Sequence, residues 1–388
     1  MQALGSRASV IAGQSPEGKY YNNSGQGLPF YQGKKDFGER ELNPPTVWTS
    51  QTTKEAQAGD ILMSVRAPVG PINFAREAVC IGRGLAAMRC RDGLDPDFLF
   101  YQLLGMQADI AGKEGAVFAS INKAEIEALS IVVPPLHEQR RIVAILDEAF
   151  EGIATAKANA EKNLQNARAL FESRLERLFS TSDGPKTRVA DLCDIKHGYA
   201  FDGAHFSGSG DWQAPILLTP GNFAEDGQLQ FNERNTKRYT NPDIPQGFVL
   251  DEGDLVVVMT DLSSKMKILG KPAIVDRPQL LHNQRIGRVV GLQARVATRY
   301  LYFFMRTAAY VHGIKRTATG TMVKHTAPSR ILDAALPLPS TERQTEIIEA
   351  LDDAEDQVQR LEANYLRRVA ALEELKKSLL NQAFTGAL

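Results

Sequence analysis

This chain contains one segment twice, as Pro134-Pro-Leu-His-Glu-Gln-Arg-Arg-Ile-Val-Ala-Ile-Leu-Asp-Glu148 and again as Pro339-Ser-Thr-Glu-Arg-Gln-Thr-Glu-Ile-Ile-Glu-Ala-Leu-Asp-Asp353. Matching residues keep a constant offset of 205: Gln139 and Gln344, Ile142 and Ile347, Leu146 and Leu351, Asp147 and Asp352. Each copy follows a stretch of different composition and opens a heptad-patterned segment. The predicted order is therefore globular unit, long helix, globular unit, long helix, and this duplication predicts a ligand with two halves.

The composition is that of an ordinary globular protein. The 388 residues are 43% hydrophobic and 23% charged, which is enough for two cores. No run of about 18 apolar residues occurs, and Met1-Gln-Ala-Leu-Gly-Ser-Arg7 lacks the apolar core of a signal peptide, so we expect a cytoplasmic protein without a membrane segment. The three cysteines have no metal-site spacing and predict buried thiols rather than disulfides or a zinc site.

The net charge of -1 hides an uneven distribution. Residues 187–335 contain 18 basic and 14 acidic side chains, and the interval from Arg277 to Arg330 contains no Asp or Glu. Between Ile61 and Arg91, five arginines face a single acid, Glu77. Positive charge concentrated in this way favours a polyanion as ligand. For one such run alone, a set of solvated surface arginines is an equally open interpretation.

The two globular segments share features that predict diverged copies of one domain. Strand-like runs at 59–65 and 84–89 have counterparts at 253–259 and 286–292, and an aromatic helix candidate follows in each copy. A glycine comes next, Gly115 or Gly320, again 205 residues apart. We predict an α+β protein of two mixed α/β domains and two long helices, with an internal pseudo-twofold repeat. The predicted boundaries are 1–133 for the first domain, 134–183 for the first helix, 187–335 for the second domain and 336–388 for the second helix.

Both helical segments carry apolar or small residues in steps of three and four, the spacing typical of a coiled-coil seam. The first seam comprises Ile142, Leu146, Ala149, Ile153, Ala156, Ala160, Leu164, Ala167, Phe171, Leu175 and Leu178. The second comprises Ile347, Leu351, Ala354, Val358, Leu361, Tyr365, Val369, Leu372, Leu375 and Leu379. Since a helix with one apolar seam is not stable alone in water, we predict that the two pair with each other. The pseudo-twofold repeat favours an antiparallel pair over a parallel one.

The motifs of common enzymes are missing. Asn43-Pro-Pro-Thr46 is similar to the loop that holds a flipped adenine in amino-methyltransferases, but Thr46 stands where an aromatic ring would stack on the base. No glycine-rich cofactor turn follows a strand, so a Pro-Pro turn is the favoured interpretation. The six histidines are scattered without ligand spacing. We therefore predict no catalytic residue and no metal site.

Polar and cationic loops instead predict a nucleic-acid-binding surface. Asn and Gln suit adenine edges, Arg suits guanine, and cations suit phosphates. In the first domain the candidates are Tyr20, Tyr21, Asn22, Lys34, Lys35, Arg66, Arg83 and Lys113. In the second they are Arg234, Lys237, Arg238, Lys265, Lys267, Arg285, Lys315, Arg316 and Lys324. Each cluster alone is more typical of a solvated loop, and their repetition in duplicated domains favours DNA.

Residues 134–147 and the helix after them resemble the conserved region of type I restriction-modification specificity subunits. The resemblance extends to Lys376-Lys-Ser-Leu-Leu-Asn-Gln-Ala-Phe-Thr-Gly386, to Gly13-Gln-Ser-Pro16, and to Gly59-Asp-Ile-Leu-Met-Ser-Val-Arg66 with its partner Gly253-Asp-Leu-Val256. It implies two target-recognition domains, each reading one half of a split, asymmetric sequence in double-stranded DNA. It also implies two antiparallel helices that set the length of the unread spacer, and no catalysis by this chain.

The resemblance further implies partners. Two modification subunits that carry S-adenosylmethionine would dock and methylate adenine in each half-site, and two restriction subunits that use ATP and Mg²⁺ could join. This chain would bind no cofactor itself. The residues expected to contact partners are Gln139, Arg140, Arg141, Gln344, Lys376 and Lys377. At the second helix start Arg343 and Glu346 stand where the first has Glu138 and Arg141, which exchanges the charges at this expected interface.

Two other functions fit parts of the pattern. A coiled-coil adaptor would bind proteins through its globular ends, and its affinity for DNA would not fall steeply with salt. A solitary methyltransferase would bind S-adenosylmethionine without a partner. Binding measurements on the purified chain separate both from the specificity-subunit hypothesis.

Overall fold

The computed structural model describes residues 1–111, 120–207 and 213–388. The candidate DNA contact Lys113 and the glycine Gly115 lie outside the described residues. The chain divides into two compact units, residues 1–161 with 365–388 and residues 162–364. Each unit therefore combines one globular part with a portion of both long helices.

The described part of the first unit contains short strands and short helices beside its portions of the long helices. The strands are β1 (Gln2–Ala3), β2 (Ala8–Ala12), β3 (Tyr21–Asn22), β4 (Leu28–Tyr31), β5 (Trp48–Thr49), β6 (Glu55–Ala56), β7 (Ile61–Ser64), β8 (Ile72–Phe74), β9 (Val79–Ile81), β10 (Leu85–Cys90) and β11 (Ser130–Ile131). The helices are α1 (Pro96–Gly105), α2 (Gln107–Ala111), α3 (Lys123–Glu127) and the start of α4 (Leu136–Ser180), with 3-10 turns at Leu4–Ser6, Gly18–Tyr20 and Lys34–Asp36. One antiparallel sheet has the order β2-β10-β7-β8; a second has the order β3-β5-β4-β9-β6, with β4 and β9 parallel.

The four-stranded sheet of this unit is buried on both faces. In β7 Ile61 and Met63 join the cluster that contains the long-helix residues Leu146 and Leu380, while Leu62 joins a separate cluster on the opposite face. This alternation follows from the two-residue period of a strand. Because both faces need apolar partners, the run Ile-Leu-Met is continuous rather than alternating with polar residues.

The second unit repeats this arrangement. Its strands are β12 (Lys186–Arg188), β13 (Asp194–His197), β14 (Phe206–Ser207), β15 (Ile216–Leu218), β16 (Arg238–Tyr239), β17 (Val249–Leu250), β18 (Leu255–Val258), β19 (Thr260–Asp261), β20 (Pro272–Ile274), β21 (Leu280–His282), β22 (Ile286–Val290), β23 (Lys324–His325) and β24 (Ala335–Pro337). The helices are α5 (Thr298–Phe304), α6 (Ala308–Thr317), α7 (Pro328–Leu332) and α8 (Thr341–Thr385), with 3-10 turns at Val189–Asp191, Gly203–His205 and Pro220–Asn222.

The sheets of the second unit have the same order as those of the first. The antiparallel sheet runs β13-β22-β18-β20, and the other runs β14-β16-β15-β21-β17 with β15 and β21 parallel. The pair β12·β24 matches β1·β11. The ladder β19·β23 occurs where the first unit has a single bridge between Arg66 and Ser120. The predicted α+β fold with an internal repeat is confirmed.

The long helices run antiparallel within each unit. In the first unit Arg141 on α4 donates to the backbone oxygen of Leu388 at 2.9 Å, and Lys157 pairs with Glu373 at 2.5 Å. The residue numbers of the partners on α8 decrease as those on α4 increase, so the two helices pack antiparallel. In the second unit Arg168 pairs with Glu362 at 2.6 Å. Leu175, later in α4, shares a buried cluster there with Ile347 and Leu351, which lie earlier in α8.

The seam of α8 differs from its prediction in two places. Leu361 and Leu375 remain 42% and 46% exposed, whereas Leu380 and Ala383 are buried. The latter two pack in the core of the first unit, where Phe384 also meets the ring of Phe98. The buried face is therefore set by the globular part as well as by α4. Among the described residues, no helix has both the length and the apolar character that a membrane span requires.

Candidate nucleic-acid interface

Gln139 joins the start of α4 to the loop before α1. Its Oε1 accepts a hydrogen bond from the backbone N–H of Asp95 at 2.8 Å. Its Nε2 donates to the carbonyls of Gly93 at 2.9 Å and Pro134 at 2.7 Å. Each of these backbone groups thus gains a partner inside the protein.

Gln344 makes the same three hydrogen bonds in the second unit. Its Oε1 accepts from Ala297 N–H at 2.9 Å, and its Nε2 donates to the carbonyls of Arg295 at 2.9 Å and Pro339 at 3.1 Å. Gln139 and Gln344 are 0% and 1% exposed. The prediction that these two glutamines contact partner subunits is corrected, because a buried, fully bonded amide offers no surface to another chain.

An arginine in each unit binds the repeated aspartate of the long helices. In the first unit Arg40 pairs with Asp147 at 2.8 Å and with Asp97 at 2.6 Å, and it also donates to the hydroxyl of Tyr101 at 3.0 Å. Burial disfavours its charge, yet the hydrogen bonds to Asp147 and Asp97 hold the pKa of Arg40 above its usual value. The sequence offered no signal for this contact, because Arg40 lies 107 residues before Asp147.

In the second unit the arginine comes from α5 instead. Arg299 pairs with Asp352 at 2.7 Å and Glu355 at 2.6 Å. Arg299 and Asp97 are equivalent, since each lies four residues after the carbonyl that the buried glutamine holds, Arg295 or Gly93. The charge at this position is inverted between the copies, and Arg40 compensates for the inversion in the first.

The interval from Arg277 to Arg330 contains no acidic residue, but acidic residues from other parts of the chain pair with several of its arginines. Arg277 pairs with Asp276 at 2.9 Å and Arg288 with Asp254 at 2.9 Å. Arg306 is buried against Glu355, and Arg299 is paired as described above. These four cations are neutralised by acids from outside the interval. The expectation that the whole interval is available to a polyanion is therefore corrected, and the candidates Arg285, Lys315, Arg316 and Lys324 stay a prediction.

Loops at one end of the first unit form a surface that we call the first edge, residues 13–16, 65–66, 82–84 and 120–123. Arg66 and Arg83 line a concavity of about 260 Å³ there, together with Lys123. Backbone hydrogen bonds hold it: Val65 N–H donates to Gly84 at 2.9 Å, and Ile121 N–H donates to Val65 at 3.0 Å. The structure thus brings together two candidates that are 17 residues apart in sequence, and it adds Lys123, which sequence reasoning missed.

The second edge, residues 198–201, 259–268, 283–285 and 319–326, repeats these hydrogen bonds. Met259 N–H donates to Arg285 at 2.9 Å, and Thr326 N–H donates to Met259 at 2.9 Å. Candidates Arg285, Lys265 and Lys324 lie on it. The backbone pattern is shared, whereas the side chains differ.

An exposed aromatic ring on the second edge was missed by sequence reasoning. Tyr199, 42% exposed, stands where the first edge has Gln14, because their N–H groups donate equivalently to His282 at 2.8 Å and to Ile81 at 2.9 Å. Its ring meets Phe201 at 5.1 Å and Phe248 at 5.4 Å. A glycine precedes both Gln14 and Tyr199, and this shared glycine could have identified the two positions as equivalent from the sequence.

The other candidates lie apart from the edges or have internal partners. Tyr21 stacks on Phe30 and donates to Pro16 at 2.9 Å, next to the first edge, while Asn22 closes its own turn through Gln26. Tyr20, Lys35, Arg234, Lys237, Lys315 and Arg316 are exposed or half-buried, and Arg238 donates to Ala214 at 2.7 Å. Lys267 pairs with Glu225 at 2.5 Å, and Lys34 lines a cleft of about 580 Å³ beside Asp147 and Lys376. For these residues DNA contact stays a prediction.

Chemical reactivity is low where the titratable groups are described. Burial raises the pKa of Cys193 to about 11 and that of Cys90 to about 12, so both thiols are protonated at neutral pH. No group of His, Cys, Asp and Glu in the described ranges could hold a metal ion.

The sequence is similar to a known domain family and to known proteins. Residues 9–165 match the family model of the type I restriction modification DNA specificity domain. Over 161 residues the chain is 39% identical to the putative type I restriction enzyme MjaX specificity subunit of Methanocaldococcus jannaschii, covering 41% of this chain and 37% of that protein. Over 314 residues it is 23% identical to the type I restriction enzyme MjaVIII specificity subunit of the same organism, covering 76% of this chain and 71% of that protein. Residues 9–165 are therefore similar to this DNA specificity domain, and the chain spans 37% and 71% of the lengths of these two specificity subunits.

Solved structures of lower sequence identity share the fold of this chain. One of them comes from a study of the structural basis of complex assembly and conformational transition of the type I R-M system. It superposes with a TM-score of 0.75 at 17% identity, covering 100% of this chain and 97% of that one. The HsdS subunit from Thermoanaerobacter tengcongensis gives 0.55 at 18% identity, covering 100% and 96%.

The remaining residues that the specificity-subunit resemblance assigns to partners are exposed or half-buried charges of the first unit. Arg141 pairs with Glu138 at 2.7 Å, and Arg343 pairs with Glu346 at 2.5 Å, so the exchanged charges preserve an ion pair within one helical turn. Arg140 is exposed, Lys377 pairs with Glu374 at 2.7 Å, and Lys376 lies 4.9 Å from the ring centre of Phe150. Their contact with partners stays a prediction.

Proposed function

We propose that this chain is a type I restriction-modification specificity subunit, which binds a bipartite, asymmetric DNA target and positions adenine methyltransferase subunits on it. In this proposal the first edge reads one half-site and the second edge reads the other. The observation that carries the proposal is the repetition of one backbone frame with different side chains: Arg66, Arg83 and Gln14 on the first edge correspond to Thr260, Gln284 and Tyr199 on the second. A common frame suits a common ligand, and different side chains suit different base sequences.

The long helices have two proposed roles. They set the number of unread base pairs, because half-sites on one duplex must be met at a fixed distance and rotation, which stiff helices provide. Their exposed charges also dock two modification subunits. The chain itself has no catalytic role in this proposal. S-adenosylmethionine belongs to the modification subunits, and ATP with Mg²⁺ belongs to restriction subunits where these join.

The decisive experiment maps methylated adenines in DNA from cells that carry this chain with its partner methyltransferase. The expected result is methylation in a split sequence with a fixed unmethylated spacer. The same purified complex should bind a duplex of that sequence with an affinity that falls steeply as salt rises, because phosphate contacts release counterions. Methylation without a fixed spacer, or binding that is insensitive to salt as expected for a protein-binding adaptor, would contradict the proposal.

A further inference from the structure

The second edge carries exposed apolar side chains. Met322 is 80% exposed, Leu262 is 65% exposed and Val323 is 36% exposed. The register of β19 and β23 pairs Thr260 with His325 and Asp261 with Lys324, so Leu262 directly follows one strand of this ladder and Val323 directly precedes the other. We call Leu262, Met322 and Val323 the apolar tip.

The apolar tip is held by hydrogen bonds on both of its strands. Thr319 and His325 bond to each other through their backbones at 2.9 and 3.0 Å, which closes a five-residue turn. Gly320 in this turn has a φ of 94°, and a Cβ there would clash with the carbonyl of Val323, so only glycine fits. The hydroxyl of Thr260 lies 3.0 Å from the ring Nδ1 of His325 and ties the two strands together.

A buried carboxylate fixes the loop that follows Leu262. Asp261 is 2% exposed, and its carboxylate accepts hydrogen bonds from the backbone N–H groups of Ser263 at 2.7 Å and Ile268 at 2.9 Å. Leu262 therefore projects from a preorganised loop. Preorganisation reduces the ordering cost when such a side chain is inserted into a ligand.

The part of the tip that carries Leu262 lies in an insertion of the second unit. In the first unit Gly70 N–H donates to Ser64 at 3.0 Å, and in the second Gly270 N–H donates to Val258 at 2.9 Å, so the two bonds are equivalent. The first pair spans 6 residues and the second spans 12, an insertion of 6 residues. This insertion supplies Leu262 and the loop around it.

Two cations lie on the chain segments of the tip. Lys265 is in the loop after Leu262 and Lys324 is in β23, and no ion pair of either is found within the part of the chain that the structure describes. The sequence has no acidic residue between Asp276 and Asp333. A positive rim favours a polyanion over a neutral or basic surface.

We propose that the apolar tip inserts between base pairs of the second half-site and kinks the DNA there. Leu, Met and similar side chains act as wedges between base steps in proteins that bend DNA, while flanking cations contact the phosphates. This inference rests on the proposed function. It adds that the second half-site is read partly through its deformability.

The test compares the full chain, in complex with its methyltransferase, with a variant carrying Leu262→Ala, Met322→Ala and Val323→Ala. The probe is a duplex of the mapped target with a fluorescent donor and acceptor at its ends. We expect the natural complex to bring the ends closer, and the variant to lose most of this change and about tenfold in affinity. The slope of affinity against salt should stay the same, since no phosphate contact is removed. Val249→Ala, which removes another exposed apolar side chain of this unit, should change none of these values.

Two outcomes would overturn the inference while the proposed function stands. One is an unchanged bend and affinity in the triple variant. The other is a variant that no longer copurifies with the methyltransferase, which would make the tip a protein contact. Failure of the natural complex to bind the mapped duplex contradicts the proposed function itself, so the two failures are distinguishable.

Discussion

The side chain of Gln139 accepts a hydrogen bond from the backbone N–H of Asp95 at 2.8 Å, and Gln344 repeats this bond with Ala297 at 2.9 Å. The glutamine is thus the internal joint between the globular part and the long helix in both units. Glutamine is present at both positions because the same three backbone groups need a hydrogen-bond partner in each unit.

Replacement of this joint should destabilise its unit. We expect Gln344→Ala to lower the free energy of unfolding by about 3 kcal/mol, since buried backbone groups of Arg295, Ala297 and Pro339 lose their partner. Urea denaturation followed by circular dichroism measures the effect. Gln359→Ala, on an exposed turn of the same helix, is the matched control. Equal stability of the two variants would show that Gln344 does not hold the joint.

Sequence patterns predicted the fold well because its main features are local. The continuous Ile-Leu-Met run of β7 and the heptad spacing of α4 and α8 each arise from which neighbours along the chain are apolar. The joint was misplaced because a glutamine after Pro-Pro-Leu-His-Glu has the same sequence pattern whether it is exposed or buried. Its burial depends on Gly93 and Asp95, which are more than 40 residues away.

The candidate site was predicted less well for a related reason. The interval from Arg277 to Arg330 contains no acid, yet Glu355 and Asp352 from α8 pair with Arg299, and Glu355 also pairs with Arg306. Counting charges along this interval therefore overestimates the positive charge that the folded protein presents there. Arg66 and Arg83 were separate candidates in the sequence, and only the pairing of β7 with β10 brings their loops together.

The buried ion pair between Arg306 and Glu355 gives a second stability prediction. Their side chains are 5% and 10% exposed, so Glu355→Gln should cost about 3 kcal/mol by leaving a buried guanidinium without a counter-charge. The double variant Arg306→Met with Glu355→Leu should recover most of this loss, because the buried guanidinium is removed together with its counter-charge while Arg299 keeps Asp352 as a partner. Arg40→Met in the first unit, where the charges are 38–48% exposed, should cost about 1 kcal/mol or less. A double variant no more stable than Glu355→Gln would contradict this account.

Buried His282 predicts a pH-dependent stability. Burial lowers its pKa from 6.5 to about 4, so the unfolded chain binds a proton on this ring at a higher pH than the folded chain does. Stability should therefore fall as pH decreases from about 6.5 to about 4, by about 3 kcal/mol in total. His282→Gln keeps a donor for the carbonyl of Ile286 but does not titrate. The difference in unfolding free energy between the natural chain and this variant should depend on pH in this window, and a flat difference would refute the assignment.

The first edge gives a prediction about phosphate contacts. Arg66→Ala and Arg83→Ala should each weaken DNA binding across sequences and reduce the slope of log affinity against log salt by about 1. Arg76→Ala is the control, since Arg76 pairs with Glu41 and does not line the concavity. If the slope changes as much for Arg76→Ala as for the other two, the cations of the first edge have no special role.

Independent half-site reading predicts the outcome of a segment exchange. Replacing residues 187–335 with the corresponding part of a relative should change one half of the methylated sequence and leave the other half and the spacer intact. The donor segment must keep apolar residues at Tyr300, Leu301 and Phe304, because these pack with Phe179 of α4 and Leu351 of α8 in one core. Sequencing of methylated adenines measures the result. A change in both halves would show that the two units do not read DNA independently, whereas loss of all methylation with intact folding would show that the exchanged segment also serves the methyltransferase.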